Sequence, residues 1–387
     1  MTNPFRPLIV PVLTLAGALV LPIAPAAAMS HLAETVGQTL IETMSKVSGD
    51  TFAYATARFE EAENTVVLEK VTLTRQRAKQ PSVVIDSARI LAPVMMENGG
   101  FTADSVTTLG IALHSRSLKG TAASATASNV IVQPADQIVE GAVSQWFRYE
   151  TSSVKDIRLG GTPEAPLVTV ATIDTVADIN DNNIPVAGEV AISDISIQVS
   201  DFPESRIRRD IMELGYDQVE MSVAAKGSYA PEDDTLTVES FQLTGDDAAA
   251  LSLSASIGGI PESFMASPLD PRTIIATASI GSLDLRVVDD SLTNRVLSAQ
   301  AKKMGTEPEA LAAQLSGALP FFLAVLENDA FQKQVADAVS AFLNEPQNFN
   351  IAMEPEKPTP FIQVFAALTS APGTIIELLG LSISANE

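Results

Sequence analysis

The sequence repeats an irregular strand pattern that limits how its sheets can be built. In DDTLTVESFQLTG, residues 233–245, the apolar residues Leu236, Val238, Phe241 and Leu243 are spaced i, i+2, i+5 and i+7. A regular strand points successive side chains to opposite faces, so this spacing contains one extra residue at its centre. A β-bulge or a sharp bend at the two middle residues would keep all four apolar side chains on one face.

The same spacing occurs in three other segments, so an accident of alternation is a poor explanation. Residues 63–75, ENTVVLEKVTLTR, align with the first segment at an offset of 170 positions, which predicts an internal repeat of residues 51–93 and 221–261. We expect each of these strands to bend at its two middle residues and to keep a continuous apolar face on the inside of a curve. The apolar residues are Val66, Leu68, Val71 and Leu73; Val190, Ile192, Ile195 and Ile197; and Ala278, Ile280, Leu283 and Leu285.

The rest of the pattern predicts an α+β fold with the helices mainly at the end. Residues 29–288 are expected to form a β-rich body of curved antiparallel sheet with bent strands, because Val, Ile, Thr and Ser alternate between turn signals. An amphipathic helix over residues 30–48 opens this body, and two short helices, over 134–150 and 201–215, interrupt it. Residues 289–387 are predicted to form a mostly helical C-terminal region with short terminal strands.

The first 28 residues have the form of a secretory signal peptide. Arg6 precedes an apolar run, and Ala26 and Ala28 fit the small-residue rule for cleavage after Ala28. A retained membrane anchor is the alternative, but prolines and a glycine break the run. The sequence contains no cysteine, so disulfides and thiol chemistry are excluded. We expect an exported protein of the bacterial periplasm.

The charge of the chain excludes one class of function and its composition favours another. The formal net charge is −23, and it becomes −24 when Arg6 is removed with the signal peptide. Such a surface repels nucleic acid, so nucleic-acid binding is not expected. Hydrophobic residues make up 46% of the chain and charged residues only 18%, so much apolar surface must be covered by something.

Two interpretations of the apolar sheet face follow, and the sequence does not decide between them. The face can be a groove for acyl chains or for the hydrophobic segment of a partner. Alternatively the amphipathic helices of the protein pack on it, which we expect for most of the surface. The candidate residues for a groove or partner surface are Trp146, Phe147, Leu236, Val238, Phe241 and Leu243.

Strands of the form TVVLEKVTL and EVAISDISI resemble those of AsmA-like secreted bacterial envelope proteins. The resemblance extends over about residues 51–289 and concerns pattern more than identity. It implies a role in envelope lipid homeostasis. The predicted function is therefore that of a non-catalytic periplasmic protein that binds a lipid or an envelope protein partner and supports envelope maintenance.

A second function is indicated by DINDNNIPVAGE, residues 178–189. Asp178, Asn180, Asn182 and Glu189 occupy positions 1, 3, 5 and 12 of a calcium-binding loop of the EF-hand type, in which oxygen ligands wrap a hard cation. This order predicts a calcium-dependent structural or adhesion protein. A polar hairpin turn rich in asparagine is the alternative interpretation.

Two further groups of residues are candidates for binding or chemistry. Arg206, Arg208 and Arg209 form the densest basic cluster and could contact an anion, although ion pairs within a helix also explain them. His31 and His114 remain after signal cleavage, and His114 could belong to the dispersed catalytic residues of an exported hydrolase. No sequence motif of a catalytic or cofactor site accompanies them, so catalysis is the less favoured expectation.

Overall fold

A computed structural model describes residues 26–387, except residues 77, 79, 115–118, 139–146, 163, 181–183, 267–270 and 325–326. The chain divides into two compact units, the first ending at Gly188 and the second beginning at Glu189. Both contain antiparallel sheet, and the fold class is α+β, as the sequence predicts. The signal-peptide prediction lies almost wholly outside the described residues.

In its described residues, the first unit is one α-helix on an antiparallel sheet in which successive long strands are neighbours. The sheet order is β3, β4, β6, β7, β9 and β10, with β1 and β2 both paired to the outer edge of β3, β5 paired to β6 and β8 paired to β7. The elements are α1 (Ala26–Ser48), β1 (Thr51–Ala53), β2 (Thr56–Glu60), β3 (Thr65–Thr74), β4 (Val83–Leu91), β5 (Val94–Met95), β6 (Phe101–His114), β7 (Lys119–Val132), β8 (Phe147–Arg148), β9 (Thr151–Leu159) and β10 (Val168–Ile179).

A row of interrupted pairing, which we call the crease, crosses this sheet from β3 to β10. Each strand is in register on both sides of the crease but unpaired at it. Three of its residues have a left-handed backbone: Lys70 with φ 53°, Gly110 with φ 64° and Asp156 with φ 53°. The crease residues are Lys70, Asp86, Gly110, Ala123, Asp156 and Ala171.

The crease reverses the alternation of side chains in all six strands at once. In β3 the apolar side chains on this face are Val66 and Leu68 before the crease and Val71 and Leu73 after it, all buried, while Val67 is buried on the opposite face. Because the neighbouring strand has the same interruption opposite, the register is kept and the apolar side chains stay on one face. The bend predicted at the middle of residues 63–75 is confirmed at Lys70, and that in VAISDISI at Asp194, whose φ is 51°.

Helix α1 packs on the apolar face of the first unit and forms its core. Ala33 and Val36 have no solvent exposure, and they contact strand residues that include Leu68 and Ile90, which are also fully buried. Gly37 brings the helix close to the sheet, since a Cβ there would lie 2.8 Å from Leu68 Cδ2. The helix begins at Ala26, before the expected cap Ser30, because the alanines that precede it are the best helix formers.

The second unit continues the antiparallel pattern but bends its strands differently. The sheet order is β12, β13, β14, β15, β16 and β18, with β17 also paired to β15, and β11 spans the boundary between the units. The strands are β11 (Pro185–Gln198), β12 (Gln218–Ala230), β13 (Thr235–Gly245), β14 (Ala249–Gly258), β15 (Ser279–Asp289), β16 (Asn348–Met353), β17 (Thr359–Pro360) and β18 (Leu381–Ala385).

Here the extra residue lies in one strand of a pair, so the register shifts and a β-bulge forms. Val238 pairs with Gly227 and Ser240 with Lys226, which leaves Glu239 as the extra residue of β13. In β15 the extra residue is Gly281, between the pairs of Ile280 and Ser282. Both positions are the middle residues that the sequence pattern predicts, and the expectation of bent strands is confirmed there.

The helices of the second unit pack mainly on each other and on the end of its sheet. Leu297 and Ala301 of α5 contact Leu311 and Ala312 of α6, and all four are buried. Helix α7 lies against β18, where Gln334 Nε2 donates to the carbonyl of Ile383 at 2.9 Å. The helices are α2 (Arg206–Glu213), α3 (Glu262–Ala266), α4 (Pro271–Thr277), α5 (Leu292–Met304), α6 (Pro308–Leu323), α7 (Asp329–Asn344), α8 (Phe361–Ser370) and α9 (Ile375–Leu379).

Two predicted helices differ in the structure. The helix expected over residues 134–150 is wrong at its ends: a single 3-10 turn occupies 135–137, and Phe147–Arg148 is a strand, because backbone pairing with Ile131 and Val132 takes precedence. The helix expected from Asp201 begins only at Arg206, capped by Ser205. Pro203 explains the delay, since the residue before a proline is held extended and Phe202 has ψ 151°.

The sequence pattern changes from strand-like to helical at residue 289, and this change lies inside the second unit. Residues 292–344 are largely helical, as expected for the C-terminal region. However, β15 from the predicted β-rich body pairs directly with β16 from the predicted helical region, Leu285 opposite Ile351. The first segment of the predicted repeat contains four strands, β1 to β4, and the second contains three, β12 to β14; whether they arose by duplication stays a prediction.

Gly110 offers a direct test of the crease. A Cβ at this position would lie 2.3 Å from Asp86 Oδ2 in a backbone conformation that disfavours any L side chain. We expect Gly110→Ala to lower the free energy of unfolding by about 1–3 kcal/mol. Urea denaturation followed by circular dichroism measures this.

The matched control is Gly317→Ala, because Gly317 lies within α6 and nothing stands within 4 Å of its Cβ position. That change should be neutral or raise stability by about 0.5–1 kcal/mol, the helical preference of alanine over glycine. Equal effects of the two substitutions would contradict the crease as a sterically required feature.

Candidate apolar binding faces

The sheet of the second unit has one face made almost wholly of apolar side chains, which we call the inner face. The register places these residues on the same side because each pairs directly with another across neighbouring strands. The inner face comprises Met221, Val223, Ala225, Gly227, Tyr229, Leu236, Val238, Phe241, Leu243, Leu251, Leu253, Ala255, Ile257, Ile280, Leu283, Leu285, Val287, Phe349, Ile351, Met353, Leu381, Ile383 and Ala385.

The opposite, outer face carries mainly serine, threonine, asparagine and charged residues. At the bulge of β13, Lys226 Nζ lies 2.6 Å from Glu189 Oε1 and 3.8 Å from Glu239 Oε2. The hydrogen bond to Glu189 and the charges of both carboxylates raise the pKa of Lys226. The bulge therefore places its extra residue, Glu239, in water and leaves the apolar alternation of the inner face intact.

The inner face is only partly covered. Among the residues that form it, Tyr229 is buried and the others are half-buried, including Leu253 and Leu285 at its centre. By contrast the residues beneath α1 in the first unit, such as Leu68 and Ile90, are fully buried. The inner face is therefore less buried than the face beneath α1, and whether it is a groove or is filled by the protein's own helices stays a prediction.

The helices of the second unit contact the inner face to different degrees. Helix α7 reaches it at one end, where the rings of Phe342 and Phe349 meet edge to face with centroids 5.5 Å apart. Helices α5 and α6 bury Leu297 and Leu311 against each other instead. Among the described residues, the inner face is thus a contiguous apolar surface that is half-buried.

The first unit shows the same arrangement with more cover. Its apolar face is buried beneath α1, but the parts that lie further across the crease are half-buried. The half-buried residues of this face include Ile85, Ile111, Val154, Ile157, Leu159, Val168 and Ile173. Residues 139–146, which follow β7 in this unit, lie outside the described part of the chain.

The chemistry of the inner face suits an aliphatic ligand. It contains no charged residue, and its one hydroxyl, that of Tyr229, donates to the carbonyl of Ile260 at 3.0 Å. Burial, followed by the nearby charge of Asp234, raises the pKa of Tyr229. From Leu236 to Leu243 the face extends about 20 Å at ~3.3 Å per residue, counted on the unbulged partner strand from Ile257 to Leu251, longer than the ~15 Å that one leaflet of a bilayer's hydrocarbon core spans.

The sequence-predicted groove residues have different outcomes. Leu236, Val238, Phe241 and Leu243 lie together on the inner face, as predicted. Trp146 lies outside the described residues, and Phe147 is described only as part of β8. Strands β12, β14, β16 and β18 supply the larger part of the inner face. Because these strands alternate regularly or are short, the sequence showed only their ordinary strand propensity.

The predicted calcium loop spans the end of β10 and the start of β11, and two of its four ligand side chains have other partners. Asn180 Oδ1 accepts from the backbone N–H of Ile184 at 3.0 Å, which closes a turn, and Glu189 accepts from Lys226. Asn182 lies outside the described residues, and Asp178 is at the end of β10. Within the described residues no cluster of three or more metal-ligating side chains occurs. The calcium site stays a prediction.

The predicted anion cluster is occupied mainly by ion pairs. Arg206, of which 89% of the side chain is exposed, lies 3.6 Å from Asp210, and Arg208 binds Glu204 at 2.8 Å and the carbonyl of Ser200. Arg209 is exposed on α2. The pairing of Arg209 with Glu213 does not form, since Glu213 contacts Lys303 at 2.5 Å. Anion binding at these arginines stays a prediction.

The two histidines lie apart from each other in the first unit's elements. His114 is exposed at the end of β6, and the four residues that follow it are outside the described part of the chain. His31 borders an open cavity of about 690 Å³ between α1 and β2, together with Glu34, Glu42 and Tyr54. Burial and, second, the charge of Glu34 raise the pKa of Tyr54. Hydrolase activity stays a prediction.

Calcium has a simple thermal test. Because Asn180 and Glu189 already accept hydrogen bonds, we expect millimolar CaCl2 to leave the melting temperature unchanged, and Asp178→Ala to behave like the wild type with and without the metal. Differential scanning calorimetry with CaCl2 or EGTA measures this. A calcium-dependent rise that Asp178→Ala abolishes would instead establish the loop as a site.

Comparison with known proteins adds a family match but no activity. A family model described as "Uncharacterized protein" matches residues 242–386, a stretch that begins within β13, ends after β18 and lies inside the second unit. A search of curated proteins found no match to the chain. In the described part of the chain, none of the helices combines the length and apolar character needed to cross a membrane.

Proposed function

We propose that this protein is a non-catalytic periplasmic protein that holds the acyl chains of a lipid on the inner face of its second unit and so supports maintenance of the cell envelope. The observation that carries the proposal is the half-buried state of that face, whose centre is formed by Leu253, Leu285 and Phe241. The signal peptide predicted over residues 1–28 supports export, and the AsmA-like strand pattern supports a lipid as the ligand.

The chemistry of the face favours an acyl chain over a polar ligand. Its residues offer no charge and no free hydroxyl, so they cannot orient a sugar, a nucleotide or a peptide by hydrogen bonds. Aliphatic side chains do stabilise an aliphatic ligand, by about 25 cal/mol for each Å² of apolar surface removed from water. The lipid headgroup would stay in water at the edge of the sheet, which predicts weak discrimination among lipids.

A protein segment is the second candidate ligand, and the edges of the sheet disfavour it. β-strand addition needs a free strand edge beside the apolar surface. At β18, however, α7 covers the outer edge, where Gln334 occupies the carbonyl of Ile383 and Asn386 binds the carbonyls of Ala341 and Glu345. A lipid needs no such edge.

Native mass spectrometry tests the proposal. Residues 29–387, exported into a bacterial periplasm and purified without detergent, should carry extra mass in the range of a phospholipid or fatty acid. Leu253→Asp should lose this adduct, because a carboxylate against an acyl chain costs about 2 kcal/mol or more, a ~30-fold loss of affinity. The matched control is Ser252→Asp, which adds the same charge one residue away on the outer face.

A second variant separates lost binding from lost folding. Ala255→Trp fills the centre of the inner face without adding charge and should also remove the adduct while circular dichroism stays unchanged. Wild-type protein that carries no lipid, even after incubation with fatty acid, would contradict the proposal. So would an adduct that persists in both inner-face variants.

A further inference from the structure

Helix α8 belongs to a segment without any charged residue. From Pro358 to Ile376 the sequence contains no Asp, Glu, Lys or Arg, although the chain as a whole has 47 acidic and 24 basic residues. A surface helix of a soluble protein ordinarily has charged residues on its outward side. The segment therefore presents a neutral surface on an otherwise strongly acidic protein.

The helix also exposes an apolar stripe. Ile362, Phe365 and Leu368 are 64%, 55% and 51% exposed, and their spacing of three residues places them along one side of the helix. The side that packs on the protein is a different one, formed by the half-buried residues Phe361, Val364 and Ala367. The stripe is thus not the packing side of α8. It is an additional apolar surface that the described residues leave in water.

The stripe lies where the inner face ends. Strand β17, which directly precedes α8, pairs with Ser279 and Ile280 of β15, and the backbone N–H of Phe361 donates to the carbonyl of Ala278 at 3.0 Å. Ile280 belongs to the last row of the inner face, where it pairs with Ile257. The first residue of α8 is therefore bonded to the strand that forms the end of the inner face.

We propose that the stripe of Ile362, Phe365 and Leu368 docks on the surface of an uncharged phospholipid bilayer, beside the end of the inner face. This inference rests on the proposed function, to which it adds the place where lipid enters or leaves. Helices that lie in the interface of a bilayer insert Phe, Ile and Leu side chains of this kind between headgroups, and binding increases with the apolar area inserted.

The charge and the size of the stripe favour a neutral bilayer over a second copy of the chain. A stable protein interface needs about 800 Å² from each partner, more than three partly exposed side chains supply. Two copies with a formal net charge of −23 each would also repel one another. Anionic lipid is disfavoured for the same reason, since the segment has no Lys or Arg to attract it.

Vesicle flotation tests the docking. Residues 29–387 are mixed with phosphatidylcholine vesicles at physiological salt and separated on a density gradient. The wild type should float with the vesicles, and Phe365→Asp should reduce the bound fraction at least about tenfold, since a charge in the stripe opposes insertion. Gln363→Asp is the matched control, because Gln363 is exposed on the same helix but off the stripe. It should float like the wild type.

Both substitutions are at exposed positions, so both variants should fold, which circular dichroism verifies. Three results would overturn the inference: wild type that does not float, equal loss in the two variants, or flotation only with anionic lipid. Size-exclusion chromatography gives a fourth, a dimer that Phe365→Asp dissociates, which would assign the stripe to a second copy.

The same assay separates this inference from the proposed function. Leu253→Asp, which should lose its lipid adduct, should still float, because the stripe is intact. Conversely, Phe365→Asp should still take up fatty acid added directly, as seen by native mass spectrometry. Flotation without any lipid adduct in the wild type would contradict the proposed function and leave the docking surface standing.

Discussion

The structure depends on where each bent strand places its one extra residue. Strands in a sheet twist, and a β-bulge bends a strand at one point and increases its local twist. The extra residue also reverses the alternation of side chains between the two faces. The apolar residues that follow it are therefore displaced by one position in the sequence, so that they stay on the same face. In β3 the reversal falls at Lys70 and in β13 at Glu239, and both side chains lie in water. One face of each sheet remains apolar along its whole length.

The two units solve the register problem in different ways. In the first, every long strand from β3 to β10 breaks at the same level, so pairs stay in register and the crease crosses the sheet. In the second, β13 and β15 carry bulges while β12 and β14 alternate regularly, so the register shifts by one residue on each side. The result is the same in both: one face of the sheet is mainly apolar, and part of it is half-buried among the described residues. This explains a composition of 46% hydrophobic and 18% charged residues without a membrane-spanning helix among the described residues.

The bends could be predicted from the sequence where large apolar side chains on both sides of the extra residue make the reversal of alternation visible. Glu239, Gly281, Lys70 and Asp194 each lie between two clear apolar pairs. The same break in β7 was not visible, because the crease residue Ala123 is an alanine like Ala122 and Ala125 on the apolar face, so the sequence gives no contrast. The helix over residues 134–150 was mispredicted because helical spacing there competes with backbone pairing to β7, which is a tertiary effect.

The degree of cover on the inner face could not be predicted either. The sequence of an amphipathic helix does not show which apolar surface the helix packs on. Helices α5 and α6, for example, pack on each other through Leu297 and Leu311. The sequence likewise shows that the segment around α8 is uncharged. It does not show that the stripe is exposed, because that depends on Phe361 and Val364 being the side chains that face the protein. The burial of an apolar side chain depends on the whole assembled structure, whereas the position at which a strand's alternation reverses can be read from the local sequence.

Thiol accessibility tests the central claim, an inner face open to solvent, most directly. Because the chain has no cysteine, a single introduced cysteine reports only its own site. Leu253→Cys should react with a small maleimide within about tenfold of the rate of Gln242→Cys on the exposed outer face, and added fatty acid should slow the reaction of Leu253→Cys. Ala338 of α7 is buried, so Ala338→Cys should react far more slowly. If Leu253→Cys in the lipid-free protein is as protected as Ala338→Cys, the inner face is covered and the account of it as a binding surface is wrong.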